Sequence, residues 1–166
     1  MKMTELFLAE LDREASGTRK ALERVPEGKY DWKPHPKSMA FGYLAELVAM
    51  LPSWTVFTVD QDELDLATYK KASMRTTKEL VHGHDQAVAA ARKSLQNTTD
   101  EHLMKPWRML VAGKQVMEPT PRHIVLRDSV FNHLAHHRGQ LTVYLRLNET
   151  PVPAIYGPSA DDQRFL

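Results

Sequence analysis

Asn132-His133-Leu134-Ala135-His136-His137-Arg138-Gly139-Gln140-Leu141 holds three of the chain's eight histidines within five residues. The flanks are apolar at helical spacing: Leu126 and Val130 before it, Tyr144 and Leu145 after it. At roughly 100° per residue, positions 126, 130, 133, 134, 137, 141 and 144 share one face of a helix expected over about 121–147. His133 and His137 stand one turn apart on the face that should be buried, and His136 points away. Two imidazoles at i and i+4 have the spacing that grips one metal ion. Core histidines that only hydrogen-bond show the same spacing, so both readings stand. A zinc-protease reading fails, because Leu134 follows His133 where that motif needs a general-base glutamate.

Upstream, three further segments are periodic. Leu8, Leu11, Ala15, Thr18, Leu22 and Val25 predict an amphipathic helix capped by Thr4 and stopped by Pro26 and Gly28. Phe41, Leu44, Leu47, Val48 and Leu51 predict a second helix opening at Ser38, which Pro52 kinks or ends. Thr76-Thr77-Lys78-Glu79 is a capping box before Leu80, His84, Ala87, Val88, Ala91 and Leu95. His82 and His84 fall on different faces, and His35 lies between two prolines in a loop. Asp60-Gln61-Asp62-Glu63 lacks the glycine turn and closing glutamate of an EF-hand and reads as the start of a solvated linker, residues 60–75. Residues 103–119 predict a small hairpin turning at Ala112-Gly113-Lys114, with Pro106-Trp107 at its start. The expected fold class is all-α: a four-helix bundle in a single domain, residues 1–166, with a short hairpin-like insertion before the last helix.

Composition narrows the function. With 22 basic and 21 acidic residues the formal net charge is +1, which gives no footprint for nucleic acid or an anionic membrane. The absence of cysteine excludes disulfides, thiolate ligands and a cysteine nucleophile. The acidic N-terminus is unlike a signal peptide, and no run of about 18 apolar residues spans a membrane. A cytoplasmic protein without nucleic-acid or membrane partners is expected.

Four stretches in order resemble one family. They are Ser38-Met39-Ala40-x-Gly42-x-Leu44-Ala45 with Leu51-Pro52-x-Trp54, then Lys105-Pro106-Trp107, then His133-x-x-x-His137-Arg138-Gly139-Gln140, then Val152-Pro153-Ala154-Ile155-Tyr156-Gly157-Pro158-Ser159-Ala160-Asp161. Together they resemble the DinB-like superfamily over nearly the whole chain. The resemblance implies a four-helix bundle, a homodimer, and zinc or nickel held by three histidines. Two of those carry over to His133 and His137. It also implies that Trp107 and the Tyr156-Gly157-Pro158 tail lie near that end of the bundle. Some relatives are thiol-dependent transferases or isomerases.

The third histidine should stand at position 47, where this chain has Leu47. Glu46 lies about 100° round the helix, Met50 offers only a thioether, and His35 and His123 are too distant. Divalent metal is therefore expected to be weak or absent, since three protein ligands are the norm for a catalytic zinc. Two readings follow. One is a metal-dependent transferase or hydrolase acting on a small thiol adduct or electrophile, with Arg138 as an anion contact. The other is a non-catalytic, metal-free bundle that binds a small ligand or a partner, its imidazoles bonded to each other, to water, or to Tyr43 or Glu46. In that reading Arg138 pairs with a carboxylate and Gln140 bonds between helices.

Overall fold

The computed structural model describes residues 2–70 and 73–164. Helix α1 runs Met3–Leu22 and is capped earlier than Thr4 suggested. Lys2 occupies the cap, and the Asp100 carboxylate accepts from the Met3 and Thr4 backbone N–H groups at 2.9 and 3.1 Å. A distant carboxylate thus satisfies amide donors that a helix cannot pair itself. Helix α2, Phe41–Met50, passes through a 3₁₀ turn at Leu51–Ser53 into α3, Trp54–Asp60, so Pro52 deforms the run without ending it. Helix α4, Thr77–Gln96, opens on the expected capping box. Thr76 Oγ1 accepts from Glu79 N at 3.2 Å, and Glu79 accepts from Thr76 N at 3.0 Å. A short α5, Asp100–Leu103, precedes the sheet. The last helical run has three parts: α6, Arg122–Val125; a π-helical segment, Leu126–Asn132; and α7, His133–Leu147.

The all-α expectation is overturned. Strands β1 (Glu63–Asp65), β2 (Pro106–Val111) and β3 (Lys114–Pro121) form a three-stranded mixed sheet, so the fold is α/β, though mostly helical. The hairpin β2–β3 turns at Ala112 and Gly113, both at positive φ (49° and 75°), as tight hairpins require. Strand β1 comes from the acidic stretch read as linker and pairs parallel to β2, Leu64 opposite Met109. Three residues are too few to display a period of two, and long-range contacts hold the strand. Asp65 accepts from the Ala112 and Gly113 N–H groups at 2.9 and 2.7 Å, and Glu63 pairs with Arg108 at 2.6 Å. Neighbouring Asp60 accepts from Ser94 Oγ at 2.8 Å. Residues 71 and 72 of that stretch lie outside the described residues.

The main core joins α1, α2, α4 and α7 through Leu22, Phe41, Leu44, Val48, Leu80, Leu141 and Leu145. The run Phe41–Asp60 is long and apolar enough to cross a membrane by length and composition alone. Its residues Leu44, Ala45, Val48 and Leu51 are buried in this core instead. A second cluster stacks Phe7 on Phe131, ring centroids 5.7 Å apart. A third gathers Leu64, Trp107 and Val125 beneath the sheet.

Candidate metal centre

His133 opens α7 directly after the π-helical segment. Such i→i+5 turns are rare and concentrate at functional sites. Leu126, Val130 and Phe131 of that segment, and Leu134 after it, are all buried. Downstream, His137 is buried, His133 half-buried and His136 exposed, the register expected of the shared face.

The two imidazoles meet edge to edge. His133 Nε2 and His137 Nε2 are 2.8 Å apart, with ring centroids separated by 4.6 Å. The outer nitrogen of His137 faces an acceptor. His137 Nδ1 lies 2.8 Å from Gln140 Oε1. Gln140 Nε2 in turn lies 3.1 Å from His136 Nε2. Gln140 therefore works within α7 and not between helices.

Proton counting along this chain is informative. With Gln140 Oε1 toward His137, that ring carries its proton on Nδ1 and presents its Nε2 lone pair to His133. The contact is then complete when His133 donates through Nε2, or when a cation, a proton or a metal ion, sits between two unprotonated Nε2 atoms. Burial, followed by the nearby His137 imidazole, holds the His133 pKa below the usual histidine range despite a hydrogen bond to the Ser129 backbone. Near neutral pH that favours a lone pair over a bound proton.

The pair fits half a metal shell. Tetrahedral zinc at about 2.05 Å from each nitrogen needs the two nitrogens about 3.3 Å apart, a small opening from the observed contact. The rest of the shell is not supplied. Among the described residues no group of three or more His, Asp or Glu side chains converges to hold an ion. Leu47 is half-buried and packs on the cluster that contains Leu134 and Leu141. Glu46 accepts from Met74 N at 3.3 Å. The other histidines tie loops and helices: His35 accepts from Lys37 N, while His102 and His123 bond the Val59 and Leu103 carbonyls.

Arg138 is no anion contact. It is 2% exposed and fully engaged within the fold. Nη2 donates to Glu14 Oε2 at 2.6 Å and to Tyr156 Oη at 2.5 Å. Nη1 reaches the Glu14 carbonyl and Thr18 Oγ1. The tail is thereby tied to α1 and α7. Trp107 instead packs on Val125, donating Nε1–H to the Phe57 carbonyl. Trp107 is thus anchored beside Val125 and the tail beside Arg138, on either side of His133 and His137 along the last helical run.

A mostly helical α/β domain with paired histidines on its last long helix is matched by the family model described as DinB family, over residues 1–164. The chain belongs to the DinB family. Two solved structures share the fold. A DinB-like protein from Bacillus cereus has 25% identity and a TM-score of 0.71, with 92% of this chain and 97% of that chain covered. A DinB-like protein from Bacillus subtilis has 18% identity and a TM-score of 0.68, with 95% and 98% covered. No curated protein matches the chain.

Proposed function

We propose that His133 and His137 are the protein half of a labile divalent-metal site, and that the chain acts as a metal-dependent transferase or hydrolase on a small electrophile or thiol adduct. The supporting observation is the pair of converging Nε2 atoms, 2.8 Å apart, with the outer nitrogen of His137 facing Gln140 Oε1. Outer-nitrogen acceptors of this kind fix the tautomer that ligates and raise the basicity of the ligand nitrogen. A bound zinc or nickel would supply activation of water or a thiol by lowering its pKa. The protein's own part is to bring two imidazole nitrogens to one point, the rings tilted 51° to each other, and to set the His137 tautomer through Gln140.

Leu47 favours a second reading, a metal-free module that binds a small ligand. The family resemblance puts a third histidine at position 47, where this chain carries hydrocarbon. The two readings part on metal stoichiometry. Titrating cobalt(II) into the chelator-treated protein should give weak one-to-one binding with a visible d–d band, lost in His137→Ala. A featureless titration, or one unchanged by His137→Ala, refutes the metal site and leaves the second reading.

A further inference from the structure

One half-buried side of the Phe41–Asp60 run is not a plain solvated face. Tyr43, Glu46, Leu47, Met50 and Trp54 recur there at three- and four-residue spacing and line a cavity of about 260 Å³, to which Tyr69 also contributes. Tyr69 is held in place. It packs against Trp54 with centroids 6.0 Å apart, and edge-on against Phe57 at 5.8 Å. Among the described residues that line the cavity, the one charged group is also positioned, because Glu46 Oε2 accepts from Met74 N at 3.3 Å. No basic side chain is among those described lining residues.

We propose that this cavity is a binding site for a small hydrophobic amine, an alkylammonium carried on an aryl or alkyl body. The charge pattern selects that class. A carboxylate among mostly apolar walls attracts a cation and repels an anion, so carboxylate-bearing ligands are disfavoured. Aromatic rings in the lining add the attraction of an ammonium to a π face, about 0.5–2 kcal/mol where water is excluded. A neutral apolar ligand would cover Glu46 and strip its water without supplying a partner, which costs free energy. The volume lies just below the usual range for ligand pockets, which fits an arylalkylamine the size of phenethylamine. The inference does not depend on metal at His133 and His137. Leu47 lines this cavity, while neither His133 nor His137 does.

The test is titration of the full chain with phenethylamine, 2-phenylethanol and 3-phenylpropionate, with a chelator present so that metal plays no part. Fluorescence reports binding, and Trp54→Phe identifies the part of the signal that comes from Trp54. The amine should saturate and bind at least tenfold tighter than the alcohol, with the acid weakest. Glu46→Gln keeps an acceptor for Met74 N and should weaken the amine about tenfold, or 1.4 kcal/mol, while leaving the alcohol unchanged. A thermal melt of Glu46→Gln confirms that it folds. Equal affinity for amine and alcohol, no saturation by the amine, or an unchanged amine affinity in Glu46→Gln overturns the proposal.

Discussion

Arg138 and Glu14 form an ion pair at 2.6 Å between α7 and α1 with both side chains almost fully withdrawn from solvent. Tyr156 Oη closes the group, accepting from Arg138 and donating to Glu14 at 2.9 Å. A buried pair of this kind is expensive to break from one side, because the remaining charge has neither partner nor water. Glu14→Ala should therefore destabilise the protein by about 3–5 kcal/mol. Glu14→Gln, which keeps acceptor and shape, should cost less, about 1–3 kcal/mol. Urea unfolding of both variants checks this, and a loss under about 1 kcal/mol in Glu14→Ala would contradict it.

Tyr156→Phe removes the hydroxyl that ties the tail to this pair while keeping the ring. Arg138 would retain Glu14 and Thr18, so the expected loss is about 1–2 kcal/mol, concentrated in the tail. Proteolysis should then cut residues 149–164 faster in the variant while the helices keep their resistance. Equal cutting rates would show that the tail is held elsewhere, for instance by the Arg146–Asp161 pair.

Acid should destabilise the fold before its carboxylates titrate. His84 is 1% exposed between two carbonyls, Ala49 O on Nδ1 and Ala15 O on Nε2, each at 3.3 Å. Burial pushes its pKa down more than those carbonyls pull it up, and His133 is shifted the same way. The unfolded chain therefore binds more protons than the folded one just below the ordinary histidine value. Stability is full above about pH 6.5 and is lost as pH falls through that window. Urea midpoints between about pH 7.5 and 5.5 should fall with acid in the wild type, above the range where carboxylates protonate. His84→Leu should start lower, since the carbonyl that accepts from the neutral ring loses its donor, and should fall less steeply. A midpoint that rises with acid would reverse the assignment.

Arg122 is the clamp on the sheet. It is 1% exposed, and its guanidinium donates to the Pro106 and Gln61 carbonyls at 2.7 and 3.1 Å and to Asp62 Oδ1 at 2.5 Å. Arg122→Met should leave those carbonyls unpaired and raise hydrogen exchange at the Leu66 and Arg108 amides, which bond the Leu110 and Asp62 carbonyls across β1 and β2. Exchange in α4 should change little. Uniform acceleration across the chain would show that Arg122 supports the whole fold and not the sheet.

What could be read from the chain follows the range of the interactions. The capping box at Thr76 and the i, i+4 register of His133 and His137 are local, and both appear as expected. Strand β1 depends on Arg108, Ala112, Gly113 and Arg122, all more than 40 positions away, so its acidic letters looked like linker. Arg138 is similar: its carboxylate lies 124 residues upstream, and no spacing rule connects the two. Nothing in Leu126-Arg127-Asp128-Ser129-Val130-Phe131-Asn132 announces a π helix, since a change of helical period leaves composition ordinary. The all-α expectation failed for the first of these reasons.

The wild-type pair of His133 and His137 should bind zinc or nickel weakly, and Leu47→His should tighten it. Two imidazoles give half of a tetrahedral shell, and among the described residues no carboxylate or further imidazole joins them. Leu47 packs on the cluster that includes Leu134, one residue after His133, and Leu141, four residues after His137. A histidine there would add a third nitrogen and displace hydrocarbon from beside the ion's waters. The gain should be several kcal/mol, given that complete structural zinc sites reach roughly 10–16 kcal/mol. Leu47 is only half-buried, so its loss should lower metal-free stability by about 1–2 kcal/mol. Excess zinc should recover that loss by mass action, in proportion to the logarithm of its concentration. Thermal melts of both proteins with and without zinc, joined to calorimetric titration, measure each quantity. Tight stoichiometric binding by the wild type would show that another donor completes its shell. A variant that gains no affinity would show that position 47 does not face the histidine pair.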